Sequence, residues 1–381
     1  MIKNLLSIFL CIAFLNVVSC KKNTEKSAET LQTTSQNTIE YAQGFTLKTY
    51  DSFTILSVTN AWPESDKTFN YILLKEGQTA PDSIQADAVI HVPIQSIVVT
   101  STTHIPALEL LGVEHSLVGF PNLDYISSEK TRALIDSGAI TELGQNESIN
   151  TEKAIDLDPD VVVSFGVEGE NKTLNSLQRA KIPVLYNGDW TEHQPLGQAE
   201  WIKFFAALYG KESEADSIFK HIETRYTDLK ENALATKDKP TVLSGAMFKD
   251  VWYLPKGDSW AAQLVADANA AYLYADTEGT GSAALSVESV LDKSQTAAFW
   301  IAPNAFASYK ALAEANDVYT QFDAYKNKTI YSFAKAKGAT GGMLYYELAP
   351  SRPDWVLEDL IGIFHPELKQ AGKPHFFFPL D

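Results

Sequence analysis

The sequence predicts an α/β protein of two similar lobes, each built on a parallel, doubly wound sheet, with a small N-terminal β-sheet in front. Three observations carry this expectation. Residues 148–166 run from a helix cap at Asn150 or Thr151, through a short helix bearing Glu152, to an Asp158-Pro-Asp160 turn and the run Val161-Val-Val163. Three successive valines suit a strand covered on both faces, as in a parallel sheet. The same order returns as Leu285-Ser-Val-Glu288-Ser-Val-Leu291, followed by an apolar strand through Ile301 to Pro303. Finally, 381 residues exceed the usual size of a single core.

Taken in order, residues 1–19 read as a targeting segment. Lys3 supplies the positive start, the apolar run 5–18 is too short to be read as a membrane span, and Val17-Val-Ser-Cys20 places small residues before a cysteine. This resembles a bacterial lipoprotein signal, with Cys20 as the lipidated first residue. Cys11 would then be removed and Cys20 acylated, so the body would hold no thiol for disulfides or thiol catalysis. Residues 20–40 are Ser, Thr, Gln, Asn, Lys and Glu with little apolar content, a disordered tether by composition.

The N-terminal lobe is expected over 41–190. It opens with β-rich runs at 45–50, 53–59 and 69–75, read as a small antiparallel sheet. A buried strand then ends at Thr100, a polar turn follows at 101–104, and a helix carries Leu108 and Leu111 to Gly112. Strands near 117–119, 161–165 and 182–186 alternate with helices near 128–137 and 171–180. Ligands of such sheets meet the loops after the strand carboxyl ends, here 101–104, 121–125, 166–168 and 187–192.

Residues 191–238 read as linker helices. The first carries Trp201, Phe204, Phe205 and Leu208; after Gly210 a second runs 211–235, about 37 Å at about 1.5 Å per residue. The C-terminal lobe, 239–381, starts with the strand 241–244. Helices begin at Ser259-Trp260 and Ser286, 341–347 reads as a loop, and a Pro-started helix follows Arg352.

The composition, 45% hydrophobic and 21% charged, supports real cores. A net charge of −17 argues against nucleic acid, whose phosphates need a basic face. The aromatic residues Trp190, Trp252, Tyr253, Trp260, Tyr345 and Tyr346 fall near the expected rim, and flat rings suit macrocycles and chelates. Thr102, Thr103, His104 and Tyr125 lie in the strand-end loops, His104 within reach of a metal centre in a bound ligand. Arg352 is a candidate for an anionic group. Few Lys or Arg occur in those loops, which favours a neutral or cationic ligand.

Together with the lipoprotein signal, several motifs complete a pattern. They are residues 97–112 leading to Leu117-Val-Gly-Phe120, Thr151-Glu152 through Val163, Lys181-Ile-Pro-Val184, Ser286-Val-Glu288, and Arg352-Pro-Asp354 through His365-Pro366. In this order they resemble the substrate-binding proteins of ABC importers for ferric siderophores and corrinoids. The resemblance implies two rigid lobes joined by one long helix, with a shallow cleft that captures a ferric siderophore, haem or corrinoid. It implies no catalytic residue, no resident cofactor and no metal ligands of its own. It further implies a monomer on the periplasmic face of a bacterial membrane, handing its ligand to a permease dimer. Acidic residues dock each lobe onto permease arginines; Glu288 matches in the second lobe. In the first lobe Ile105-Pro106 stands where the family's glutamate sits, leaving Glu109 as candidate and Glu152 behind it.

Two other classes fit the sequence less well. A bare zinc or manganese carrier would need three or four converging ligands, and the seven histidines are scattered. An enzyme would use Asp158 with Asp160, or a serine with His104; turn chemistry accounts for the first and no Gly-x-Ser-x-Gly elbow serves the second.

Overall fold

The computed structural model describes residues 39–381, apart from 64, 81, 82, 147, 168, 170, 370 and 371. The expected signal segment, Cys20 and the tether as far as residue 38 lie outside the described residues. Within the described chain, the strands β1 (Phe45–Thr49), β2 (Phe53–Val58), β3 (Phe69–Lys75) and β4 (Ala88–Val92) form one sheet in sequential order. The first three are antiparallel, as expected. The fourth joins parallel to β3.

The N-terminal lobe follows as a wholly parallel sheet of β5 (Ile97–Val99), β6 (Leu117–Phe120), β7 (Thr141–Glu142), and, after the Gly144–Gln145 and Ser148–Ile149 hairpin, the strands Val161–Ser164 and Val184–Tyr186. Val161, Val162 and Val163 are fully buried, each worth about 2 kcal/mol of apolar burial. The Asp158-Pro-Asp160 turn is structural: Asp160 accepts the Gln95 and Ser96 backbone N–H groups at 2.7 and 2.9 Å, locking the start of one strand to its neighbour.

The C-terminal lobe repeats the plan. Its sheet runs Ala271–Tyr272, Thr241–Ser244, Phe299–Ile301, Ile330–Ser332, Phe378–Pro379, parallel except for the last strand. A separate antiparallel sheet of Ala246–Phe248, Val251–Pro255 and Ser282–Leu285 stands beside it, which the sequence pattern did not reveal.

The long helix is Glu212–Leu234, 23 residues and so about 35 Å. One face, from Ala215 through Phe219, Tyr226 and Leu229 to Ala233, is buried. Its first half meets the N-terminal side, where the Phe219 ring lies 5.8 Å from Tyr41 and Lys203 pairs with Asp216 at 3.3 Å. Its second half meets the C-terminal lobe, where Tyr226 donates to Asp267 at 2.6 Å and Arg225 pairs with Glu358 at 2.5 Å. The helix therefore holds both lobes on one apolar stripe.

Candidate ligand-binding site

In each sheet the chain leaves the first strand to both sides, which creates a switch point where ligands gather beyond the strand carboxyl ends. In the C-terminal lobe that point lies between Thr241–Ser244 and Phe299–Ile301. A cavity of about 510 Å³ opens there, with Ser244, Ala246, Ile301 and Asn304 at its base. Its walls are rings. Phe333 and Tyr345 stack at 4.7 Å, Trp260 lies 6.3 Å from Tyr345, and Tyr346 meets Tyr345 edge-on at 5.9 Å. Trp260 is placed by the cap of its helix, where the Ser259 hydroxyl accepts the Ala262 N–H. Tyr253 reaches the same cavity from the strand Val251–Pro255.

A second cavity of about 180 Å³ lies where the lobes meet. Thr103, Asp189, Trp190 and Gln198 form one side; Trp260, Tyr345 and Tyr346 form the other. The last three line both cavities, so the two spaces share a wall. Asp189 is buried, 6% exposed. Burial pushes its carboxyl up to about 6, against hydrogen bonds from the Thr103 side chain and the Trp190 N–H, with the nearby Glu192 carboxylate pushing the same way as burial.

The lobes are joined beside this site by an interlock. Glu347, on the short helix Leu344–Leu348, accepts the Ser127 and Ser128 backbone N–H groups of the N-terminal lobe at 2.6 and 2.9 Å. Burial raises its carboxyl to about 7, with the like charge of Glu109 adding to the rise. The preceding turn crosses equally closely. The Thr340 hydroxyl donates to the Asp124 carbonyl at 2.7 Å. A Cβ on Gly338 would fall 2.7 Å from Ser127 Cα and one on Gly342 2.6 Å from the Tyr125 carbonyl oxygen, so only glycine permits the contact.

Several expected site residues are therefore relocated. Trp252 is fully buried among Trp300, Tyr319 and Phe322, and its indole N–H donates to the Ser244 carbonyl. The reason is strand alternation: Trp252 and Tyr253 are consecutive in β-structure and face opposite sides. His104 is also fully buried, 5.4 Å from the Phe205 ring, and neither ring nitrogen has a partner among the described residues. Burial lowers its imidazole to about 3, so it stays neutral.

Thr102 is half-buried in the 3₁₀ turn Thr102–His104, which packs on the Leu344–Leu348 helix, while Thr103 beside it reaches the smaller cavity. Tyr125 is exposed at the edge, next to Gly342, and lines neither cavity. Arg352 is turned away: it holds Asp354 through two hydrogen bonds and lies 3.6 Å over the Trp355 ring. Glu109 is likewise engaged, accepting the Ser128 and Thr131 hydroxyls at the start of the helix Glu129–Asp136. Glu152 and Glu288 stand exposed, each in the first turn of a helix capped by Asn150 or Ser286.

The sequence profile of the periplasmic binding protein family matches residues 97–336, from the first strand of the N-terminal lobe past the last parallel strand of the second. The chain belongs to that family. An uncharacterised lipoprotein of the archaeon Methanocaldococcus jannaschii is 28% identical over 300 residues, covering 76% of this chain and 69% of that protein. A second uncharacterised lipoprotein of the same organism is 24% identical over 96% of this chain and 95% of its own length. Among solved structures, a periplasmic heme-binding protein from Roseiflexus sp. RS-1 aligns with a TM-score of 0.57 at 17% identity, covering 73% of this chain and all of that one. A periplasmic vitamin B12-binding protein of Vibrio cholerae aligns with a TM-score of 0.54 at 15% identity, over 73% and 99%. These likenesses establish the fold of a two-lobed periplasmic binding protein. Open α/β sheets in general take ligands in the crevice at such switch points.

Proposed function

We propose that this periplasmic binding protein captures a metal chelate, a ferric siderophore, haem or corrinoid, and delivers it to an ABC permease without a chemical step. The observation that carries this reading is the ring-walled cavity of about 510 Å³ at the second switch point, which shares its wall of Trp260, Tyr345 and Tyr346 with the interlobe cavity. Flat apolar walls with few polar groups suit a large, rigid, weakly charged ligand. The fold likeness to heme-, vitamin B12- and iron-binding proteins supports the same class. The ligand contacts are Thr103, Trp190, Tyr253, Trp260, Tyr345 and Tyr346, with Thr102 and Tyr125 at the margin. The alternative, a bare zinc or manganese carrier, needs three or four converging ligands. Among the described residues no group of three His, Cys, Asp or Glu is placed to hold a metal ion.

In this reading the protein acts as a monomer, lipid-anchored through Cys20 on the periplasmic side of a membrane. The lipoprotein names of two relatives support the anchor. Glu288 and Glu152 are the docking pair: both are exposed in matching positions of the two lobes, whereas Glu109 is spent on a helix start. Replacing Glu152 and Glu288 by Arg is expected to leave chelate affinity within about twofold and to abolish uptake in cells. Loss of affinity, or normal uptake, would remove the docking role. Equilibrium dialysis against cyanocobalamin, haem, ferric trihydroxamate and free zinc tests the ligand class itself.

A further inference from the structure

The smaller cavity differs from the larger in one respect that its size makes decisive. At ~30 Å³ per water-sized group, about 180 Å³ holds roughly six such groups: a ligand's substituent, not its body. Three of its walls are the rings of Trp190, Trp260 and Tyr346, and Tyr345 lines both it and the larger cavity. Asp189 alone among its lining residues carries a carboxylate, and no lining residue of either cavity is Lys, Arg or His.

That carboxylate is buried without a countercharge. Among the described residues no cation pairs with Asp189; the Thr103 hydroxyl and the Trp190 N–H act on its carboxylate. The Glu192 carboxylate, like in sign, also acts on it, and is itself occupied by the Gln43 and Gly44 N–H groups and the Trp201 indole. A buried anion without a partner is costly, and a cation entering the cavity relieves that cost. Electron-rich ring faces attract the same charge, an arrangement that recognises ammonium groups.

We propose that the interlobe cavity around Asp189, Trp190 and Trp260 is a cation subsite that selects ligands carrying an ammonium group, while the larger cavity holds the ligand's body. The assignment of the body rests on the chelate reading above; the cation subsite does not.

Two matched probe pairs test it by tryptophan quenching and calorimetry on the purified protein. The first is a ferric trihydroxamate with a terminal ammonium and its N-acetylated, uncharged derivative. The second is choline and its uncharged carbon isostere. The proposal expects each cation to bind at least about tenfold more tightly than its neutral partner. Asp189→Asn should bring each pair within about twofold. If the wild-type protein binds both chelates equally, the cation subsite is wrong and the chelate reading survives. If it binds neither chelate but prefers choline to its isostere, the subsite stands and the trihydroxamate is excluded as the body of the ligand, the wider chelate reading being decided by cyanocobalamin and haem. A preference unchanged in a folded Asp189→Asn protein overturns the role of that carboxylate. The wild-type comparison decides even if that variant does not fold.

Discussion

The two lobes bring different chemistry to the same cleft. The C-terminal lobe contributes area: Trp260, Tyr253, Phe333, Tyr345 and Tyr346 enclose a cavity with no charged lining residue. The N-terminal lobe contributes polarity through short turns, where Thr103 and Asp189 reach the smaller space. One side is suited to hold and the other to select. The contrast also separates two tryptophans that look alike in sequence. Trp252 lies in the centre of an aromatic core, whereas Trp260, eight residues later, stands at a cavity wall.

That contrast can be broken most forcefully at Trp252. Trp252→Ala should cost about 3–5 kcal/mol of stability, seen as a large fall in melting temperature, with affinity of the folded fraction preserved. Trp260→Ala should do the reverse, weakening chelate binding by about 2 kcal/mol, near thirtyfold, at nearly constant melting temperature. Exchange of these two outcomes would invert the assignment of core and wall.

The interlock gives a smaller, pH-linked effect. Burial holds the Glu347 carboxyl up to about 7, above its ordinary 4.5, with Glu109 facing it and the Ser127 and Ser128 N–H groups opposing the shift. The folded state thus binds this proton more tightly than the unfolded chain. The resulting stability is fully present below about pH 4.5 and is lost as pH rises through about 7. Glu347→Gln should flatten the decline of melting temperature across that window; an unchanged profile would exclude Glu347 as its source. The smallest effect is expected at His104. It is buried and neutral with no partner among the described residues, so His104→Leu should change stability by less than about 1 kcal/mol and affinity by less than twofold. A collapse of binding would restore His104 to the site.

The fold was legible because its signals are local and repeated. The valine strand, the capped helices at Asn150 and Ser286 and the break at Gly210 each follow from neighbouring residues. The site was only half legible. Thr103 and Trp190, from strand-end loops, and Tyr253 and Trp260, from the expected aromatic rim, line cavities, whereas Trp252, expected on the same rim, is sent inward by strand alternation. Glu347 and Asp189 were missed because their roles arise from contacts across long separations: Glu347 meets Ser127 and Ser128 in the other lobe, and Asp189 faces Trp260 and Tyr345. Residues 341–347 read as a loop from their paired glycines, yet the last four begin the helix that joins the lobes. Gly342 serves close approach to Tyr125 and Ser127, and Gly341 serves a positive-φ turn, φ 92°, rather than flexibility. Nothing in local sequence distinguishes those two uses.

The most direct test of the central claim is a fluorescence-quench titration of the wild-type and Trp260→Ala proteins side by side, with cyanocobalamin, haem, a ferric trihydroxamate and free zinc. The account predicts saturable, submicromolar quenching of the wild type by one of the chelates and a marked loss of that affinity in the variant. A wild type that ignores every chelate and responds to zinc, or a variant that binds its chelate undiminished, would contradict it.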